Sequence, residues 1–258
     1  MLFPISDDDR KLSGPAVVTL GLVAANLAVF FLLQQAGANE AFTYGWSVIP
    51  QELMTGQDLV SPQTVRVGGE AVEIPQAPGP SPIYLTILSA MFMHGGFAHL
   101  FGNLLYLWIF GDNVEHRFGA VPFLLFYLGS GLAATVAQVA LDPQGVVPNL
   151  GASGAISGVL GAYLVLFPRN RVYAIFFFNI ISIPAVVAIG IWILFQFVNG
   201  YGAIMASQET VGGVAYGAHI GGFVAGVVLA FVMRMMIRKP ERASVFSRQQ
   251  EQHSRRYW

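Results

Sequence analysis

Charged side chains along the chain fall into clusters separated by long uncharged runs, and those runs predict the architecture. Six stand out: Leu12 to Asn39, Ile74 to Gly111, Phe118 to Leu141, Pro143 to Pro168, Val172 to Gln208 and Thr210 to Met233. Each is long enough to cross a hydrocarbon core about 30 Å thick, which takes roughly 20 helical residues. Helices are expected near Pro15 to Leu33, Ala98 to Phe110, Val121 to Ala140, Ala152 to Phe167, Ala185 to Val198 and Gly212 to Ile237. Pro184 marks the start of the fifth, because proline suits a first helical turn and breaks an interior. The first run follows Asp7, Asp8, Asp9, Arg10 and Lys11 and outlasts the apolar stretch of a signal peptide, so it reads as an uncleaved helix.

Six crossings put both termini on one side, and the basic residues test that alternation independently. Arg10 and Lys11 precede the first span, Arg117 separates the second from the third, and Arg169 and Arg171 separate the fourth from the fifth. Arg234, Arg238, Lys239, Arg242, Arg248, Arg255 and Arg256 end or follow the sixth, and only Arg66 falls on the other face. The positive-inside rule then places both termini in the cytoplasm. Three segments result: a cytoplasmic N-terminal segment over 1–14, a membrane domain over 15–237, and a basic, disordered cytoplasmic tail over 238–258 attracted to anionic lipid. The external connection over about 37–82 is too long for a hairpin loop and is expected to carry function or partial order.

Composition narrows the class further. Hydrophobic residues make up 55% of the chain and charged residues 10%, which excludes an ordinary water-soluble domain. A formal charge of -1 gives no electrostatic case for nucleic acid, and zero cysteines remove thiol catalysis and thiolate metal sites. The 29 glycines suit helices that pack closely in lipid.

Polar side chains at membrane depth are costly, which singles out His94, His99, Asn103, Ser153, Ser157 and His219. Measured back from Arg169 and Arg234 at 1.5 Å per residue, Ser153 and His219 lie at roughly 24 and 22 Å. Asn103 and His99 lie at roughly 21 and 27 Å from Arg117. Three helices thus bring a serine, a histidine and an amide to a similar level, near the outer boundary and within reach of water. His99 and Asn103 are four residues apart and share one helix face, where their donors can stabilise an oxyanion. Ser153 sits at the start of the fourth helix, where unpaired N–H groups favour negative charge. Gly154 and Gly158, with Ala218, Gly222 and Gly226, form small-residue faces that let the fourth and sixth helices meet. The same pattern also fits a packing seam in which the serine only bonds back to a carbonyl.

These residues resemble the rhomboid intramembrane serine proteases. Gly151-Ala152-Ser153-Gly154 matches the GxSG nucleophile motif, and Ala218-His219-Ile220-Gly221-Gly222 with Gly226 matches the helix that bears the base. His94, His99 and Asn103 match the HxxxxHxxxN segment, and Glu115-His116-Arg117-Phe118-Gly119 looks like ExRxG, a motif with an ion-pair and turn role. The resemblance covers about residues 83 to 230. It implies an all-α polytopic fold, a six-transmembrane-helix rhomboid-like bundle with cytoplasmic N and C termini, in a prokaryotic plasma membrane with the site open to the extracytoplasmic side. It further implies a serine endopeptidase without cofactor or metal, acting on transmembrane protein substrates, with membrane lipid as a further partner; nucleic acid is not expected, as the charge balance already indicates. Ser153 would be the nucleophile and His219 the base, with His99, Asn103 and the Ser153 backbone N–H as the oxyanion hole. His94, Gly151 and Gly154 would be supporting residues, His94 orienting the loop or simply being solvated. The fifth helix, with Phe195 and Phe197, would be a lateral gate.

Two departures from the family pattern stand in the chain. Ser157 occupies the place of an aromatic residue that packs beneath the catalytic histidine in many relatives, with Tyr163 and Phe223 as candidate substitutes. Trp46 in the first external loop lacks a following arginine. Competing functions are a non-catalytic rhomboid-like protein that binds membrane clients, a zinc site of His94, His99 and His219, and a channel or transporter. The zinc reading lacks HExxH, and the transporter reading lacks paired buried charges and two matching halves. His116 and His253 lie away from the candidate site.

Overall fold

Glycine and alanine on three helices set the centre of the fold, which is a computed structural model describing residues 2–8, 14–67, 69–205 and 215–236. Helix α7 (Ser153–Leu166) lies against α9 (Tyr216–Met236) and α6 (Ala120–Leu141) so closely that no side chain fits at its glycines. A Cβ on Gly222 would fall on the Gly154 carbonyl oxygen, and one on Gly226 would fall on Gly158. On the α6 side, a Cβ on Gly154 would lie 2.6 Å from that of Ala134. With no hydrophobic drive between helices in lipid, such backbone proximity and its dispersion attraction hold a bundle together.

Around this core, α5 (Phe97–Phe118) contributes Leu107, Phe110 and Val114, which are buried with Phe123, Tyr127, Val159, Leu160 and Tyr163. The expected second helix ended near Phe110; α5 instead continues through its charged end because those side chains find partners there. Glu115 accepts hydrogen bonds from the Val18 N–H (2.9 Å), the Thr19 N–H (2.7 Å) and the Thr19 hydroxyl (2.8 Å). It therefore caps the first turn of α1 (Val17–Ala28), which runs on as a π-turn through Leu33. The carboxylate expected to form an ion pair is a helix cap, and Gly119 with φ +92° supplies the expected turn into α6.

The fold is mostly helical as expected, and the expectation is corrected only in that it is not wholly α. Strand β1 (Leu2–Asp7) pairs antiparallel with β4 (Arg171–Phe176), which pairs with β5 (Asn179–Pro184). Burial alternates in β4, with Val172 and Ala174 inside. Hydropathy alone does not separate an apolar strand from an apolar helix, so the hairpin was hidden in the fifth uncharged run. Asp7 anchors this sheet to the bundle end opposite Ser153, accepting from Tyr163 Oη and from Asn113 Nδ2 (2.9 Å). Directly after β5, α8 (Ala185–Met205) begins at the position expected from Pro184. Its Phe195 and Phe197 are 59% and 51% exposed. Only Ala120–Leu141 and Tyr216–Met236 are both long and apolar enough to cross a membrane by length and composition among the described residues; Val17–Leu33, Ser153–Leu166 and Ala185–Gly200 are shorter apolar helices. Arg10, Lys11, Gly212, His253 and the tail over 238–258 lie outside the described residues.

The connection between α1 and α5 is ordered throughout its described length. It carries short helices α2 (Glu40–Gly45), α3 (Pro50–Thr55) and α4 (Thr86–Ala90), and a hairpin of β2 (Gln63–Val67) with β3 (Glu70–Ile74). Val48 forms a backbone bridge with Asn149, two residues before Gly151, which ties this segment to the start of α7.

Glu52 on α3 is buried and accepts from the Leu59 N–H at 2.8 Å. Burial raises its pKa from 4.5 to about 7, with the neighbouring Asp58 charge acting in the same direction. A raised folded-state pKa means that folding favours the protonated acid. Its stabilising contribution is full below about 4.5 and is lost as pH rises through about 7. Glu52→Gln, which keeps the acceptor, should flatten the pH dependence of hydrogen-exchange protection over residues 50–60. An unchanged dependence would rule out Glu52 as its source.

Candidate active site

Helix α7 begins at Ser153, immediately after a backbone turn that only its sequence permits. Gly151 has φ +136°, a region that L side chains avoid, and its N–H donates to the Ala90 carbonyl at 2.8 Å. That turn presents the Ser153 hydroxyl to α9. Ser153 Oγ and His219 Nε2 are 2.7 Å apart, a hydrogen bond across 66 positions of sequence. On α6, Gln138 Oε1 accepts from the Ala218 N–H at 3.1 Å, satisfying a free donor of the first turn of α9 beside His219.

The other ring nitrogen fixes the proton. His219 Nδ1 lies 2.8 Å from Gln196 Oε1 on α8, and an amide oxygen can only accept, so Nδ1 carries the hydrogen. Nε2 is then the acceptor that faces the serine. Gln196 was not among the residues singled out from sequence. The available signal was its position as the lone amide in the apolar run from Ala185 to Val198.

His99 has the complementary tautomer. The Gly95 N–H donates to its Nδ1 at 3.3 Å, which leaves Nε2 with the proton. A Cβ on Gly151 would lie 2.8 Å from His99 Nε2 and 3.5 Å from Ser153 Oγ, so this donor and the hydroxyl border one small space. Asn103, one turn along α5, is buried, and its Nδ2 has no hydrogen-bond partner among the described residues. A buried amide without an acceptor is a donor held ready.

His94 is 1% exposed, which corrects the expectation that it could simply be solvated. Its backbone is clamped by Gln34 at the end of α1, whose Oε1 accepts from the His94 N–H (2.9 Å) and whose Nε2 donates to the His94 carbonyl (3.0 Å). Its ring meets that of His99 edge-on, centroids 5.1 Å apart, which fits a role in orienting His99.

Ser157 does not support His219: its hydroxyl donates to the Ser153 carbonyl at 2.6 Å. The two candidate substitutes also take other places. Tyr163 is engaged with Asp7 and Asn170 at the far end of α7, and Phe223 packs against Trp192. Trp192 itself, again on α8, lies beside the His219 ring with centroids 6.0 Å apart and planes tilted by 36°. Tyr216 on α9 meets the same ring edge-on with centroids 6.5 Å apart, so the aromatic neighbours of His219 come from α8 and α9 and not from α7. His94, His99 and His219 do not converge as a zinc set, since no group of three or more His, Cys, Asp or Glu among the described residues could hold a metal ion. Beside Ser153 a small cavity is lined by Met91, Gly131, Ala134, Thr135, Gln138 and Ala218.

A family model described as the Rhomboid domain matches residues 83–236, more than half of the chain. Rhomboid protein 1, mitochondrial, of Saccharomyces cerevisiae is 31% identical over 163 residues, covering 60% of this chain and 43% of that protein. Rhomboid protease GluP of Bacillus subtilis is 36% identical over 143 residues, covering 55% and 25%. RHOMBOID-like protein 5 of Arabidopsis thaliana is 31% identical over 147 residues, covering 57% and 43%. The chain therefore spans less than half the length of these relatives.

Proposed function

The chain belongs to the rhomboid family of polytopic helical membrane proteins, and from that premise we propose that it is an intramembrane serine endopeptidase. The observation that carries the reading is the 2.7 Å hydrogen bond between Ser153 and the unprotonated nitrogen of His219. In this reading the Ser153 hydroxyl gives its proton to His219 Nε2 as Oγ attacks the carbonyl carbon of a peptide bond. Charge develops on the carbonyl oxygen, where the Ser153 N–H, His99 Nε2–H and Asn103 Nδ2 would donate. His219 then returns the proton to the departing amine, and a water activated by the same imidazole releases the acyl group. The small cavity would receive the side chain next to the attacked carbonyl, which favours a small residue there.

The substrate in this account is another protein's transmembrane segment. Helical segments hide their carbonyls in hydrogen bonds, so those weakened by glycine or proline near the outer boundary are the ones that open to attack. The six-crossing arrangement with cytoplasmic termini belongs to the same proposal, as do the 1–14, 15–237 and 238–258 divisions and the prokaryotic plasma membrane. Its support is the basic-residue asymmetry. A substrate helix would approach past α8, whose Phe195 and Phe197 face outward.

Gly151 offers a local test. Gly151→Ala puts a methyl group into the space between His99 Nε2 and Ser153 Oγ and strains the φ +136° turn. Cleavage of a single-span model substrate in liposomes should fall by about 10²-fold, the scale of losing one oxyanion donor. Wild-type turnover by this variant would remove that space from the mechanism.

A further inference from the structure

We propose that Gln196 is a positioning residue that makes the activity of His219 depend on the docking of α8, an inference that rests on the Ser153–His219 reading. The imidazole has two neutral tautomers, and only the one protonated on Nδ1 can accept from the Ser153 hydroxyl. Gln196 Oε1, 2.8 Å from Nδ1, selects that tautomer and fixes the ring plane. An amide does this without a negative charge, which suits a half-buried site in a membrane bundle where a carboxylate would be costly.

Two supports of the ring come from one helix, and Tyr216 on α9 meets the ring edge-on with centroids 6.5 Å apart. Trp192 and Gln196 are four residues apart and share a face of α8, so the first places an aromatic plane beside the imidazole while the second holds its N–H. Phe223 backs Trp192 from α9, ring centroids 6.4 Å apart. Away from that face, Leu194, Phe195, Phe197 and Val198 of α8 are exposed. Among the described glycines of α8, a Cβ on Gly190 would meet nothing within 4 Å and one on Gly200 would meet only side-chain atoms of α9, Tyr216 Cβ at 3.0 Å first, whereas on α7 and α9 glycine meets backbone. A displacement of α8 would therefore release Nδ1 and remove the Trp192 plane together, while leaving Ser153, His219 and Tyr216 on their own helices. The productive tautomer is held when α8 is docked and is no longer fixed when α8 departs.

The test compares wild type, Gln196→Met, Gln196→Glu and Ser153→Ala in liposomes, using a single-span model substrate and a fluorophosphonate reagent that needs no substrate recognition. The expected result for Gln196→Met is a kcat reduced by about 10- to 100-fold, KM changed by less than about twofold, a parallel slowing of Ser153 labelling, and an unchanged melting temperature. Gln196→Glu, which restores an acceptor for Nδ1–H, should recover most of the lost kcat. Wild-type kcat and labelling in Gln196→Met, or a loss that tracks melting temperature and is not rescued by glutamate, would overturn the proposal. Failure of wild type to cleave or to be labelled would instead overturn the dyad reading and this inference with it.

Discussion

A fluorophosphonate reagent should modify wild-type protein on Ser153 and leave His219→Ala unmodified. The reagent reports an activated hydroxyl, because a serine at its ordinary pKa is a poor nucleophile without a base beside it. The 2.7 Å bond to Nε2 supplies that base, and Gln196 on the far nitrogen keeps Nε2 free of its own proton. Turnover should fall by at least about 10³-fold in Ser153→Ala and by about 10²- to 10⁴-fold in His219→Ala. The double variant should be no slower than the worse single one, because the two side chains act as one unit and their losses do not add. Additive losses, or labelling that survives in His219→Ala, would mean that the serine is activated by another group. A non-catalytic client binder predicts no labelling in any form.

A large effect on stability is expected at Gly222. Adding one methyl group there places it on the Gly154 carbonyl oxygen, and neither partner can move aside because both are helix backbone. Relief requires α9 to retreat from α7, which costs packing along the seam, about 3 kcal/mol on the scale of overpacked cores. His219 lies three residues before Gly222 on α9, and Ser153 directly precedes Gly154 on α7. The retreat therefore also lengthens the bond between them. Gly222→Ala should lower both the denaturation midpoint in mixed micelles and the turnover number. Gly21→Ala is the matched control, since a Cβ there meets nothing within 4 Å and the exchange should be neutral or gain about 1 kcal/mol of helix propensity. Equal behaviour of the two variants would refute the seam as the structural basis of the dyad.

The residues that were legible in the sequence are those whose chemistry conflicts with their surroundings. Ser153, His219, His99 and Asn103 announce themselves as polar groups in apolar runs at similar depth, and α7 and α9 as partners through their glycines. Gln196 carried the same kind of signal but no motif, and its meaning appears only when α8 is placed against α9. Trp192 was hidden among the aromatics of an apolar helix, where composition says nothing of which ring a residue meets. The strand pairing of Leu2–Asp7 with Arg171–Phe176 was illegible for a different reason, since the partners are far apart in sequence and their hydropathy fits a helix equally well. Glu115 was read as one half of an ion pair because charge is visible in a sequence and an unsatisfied helix N-terminus is not.

The central claim, that this chain cuts a peptide bond in a membrane segment with Ser153, is tested most directly by mass spectrometry of a single-span model substrate. The substrate, with glycine or proline near its outer boundary, is incubated in liposomes with wild type or with Ser153→Ala. The account predicts one new pair of termini within or beside the spanning segment with wild type and an intact substrate with the variant. The same fragments from both proteins, or an intact substrate with wild type, would contradict it.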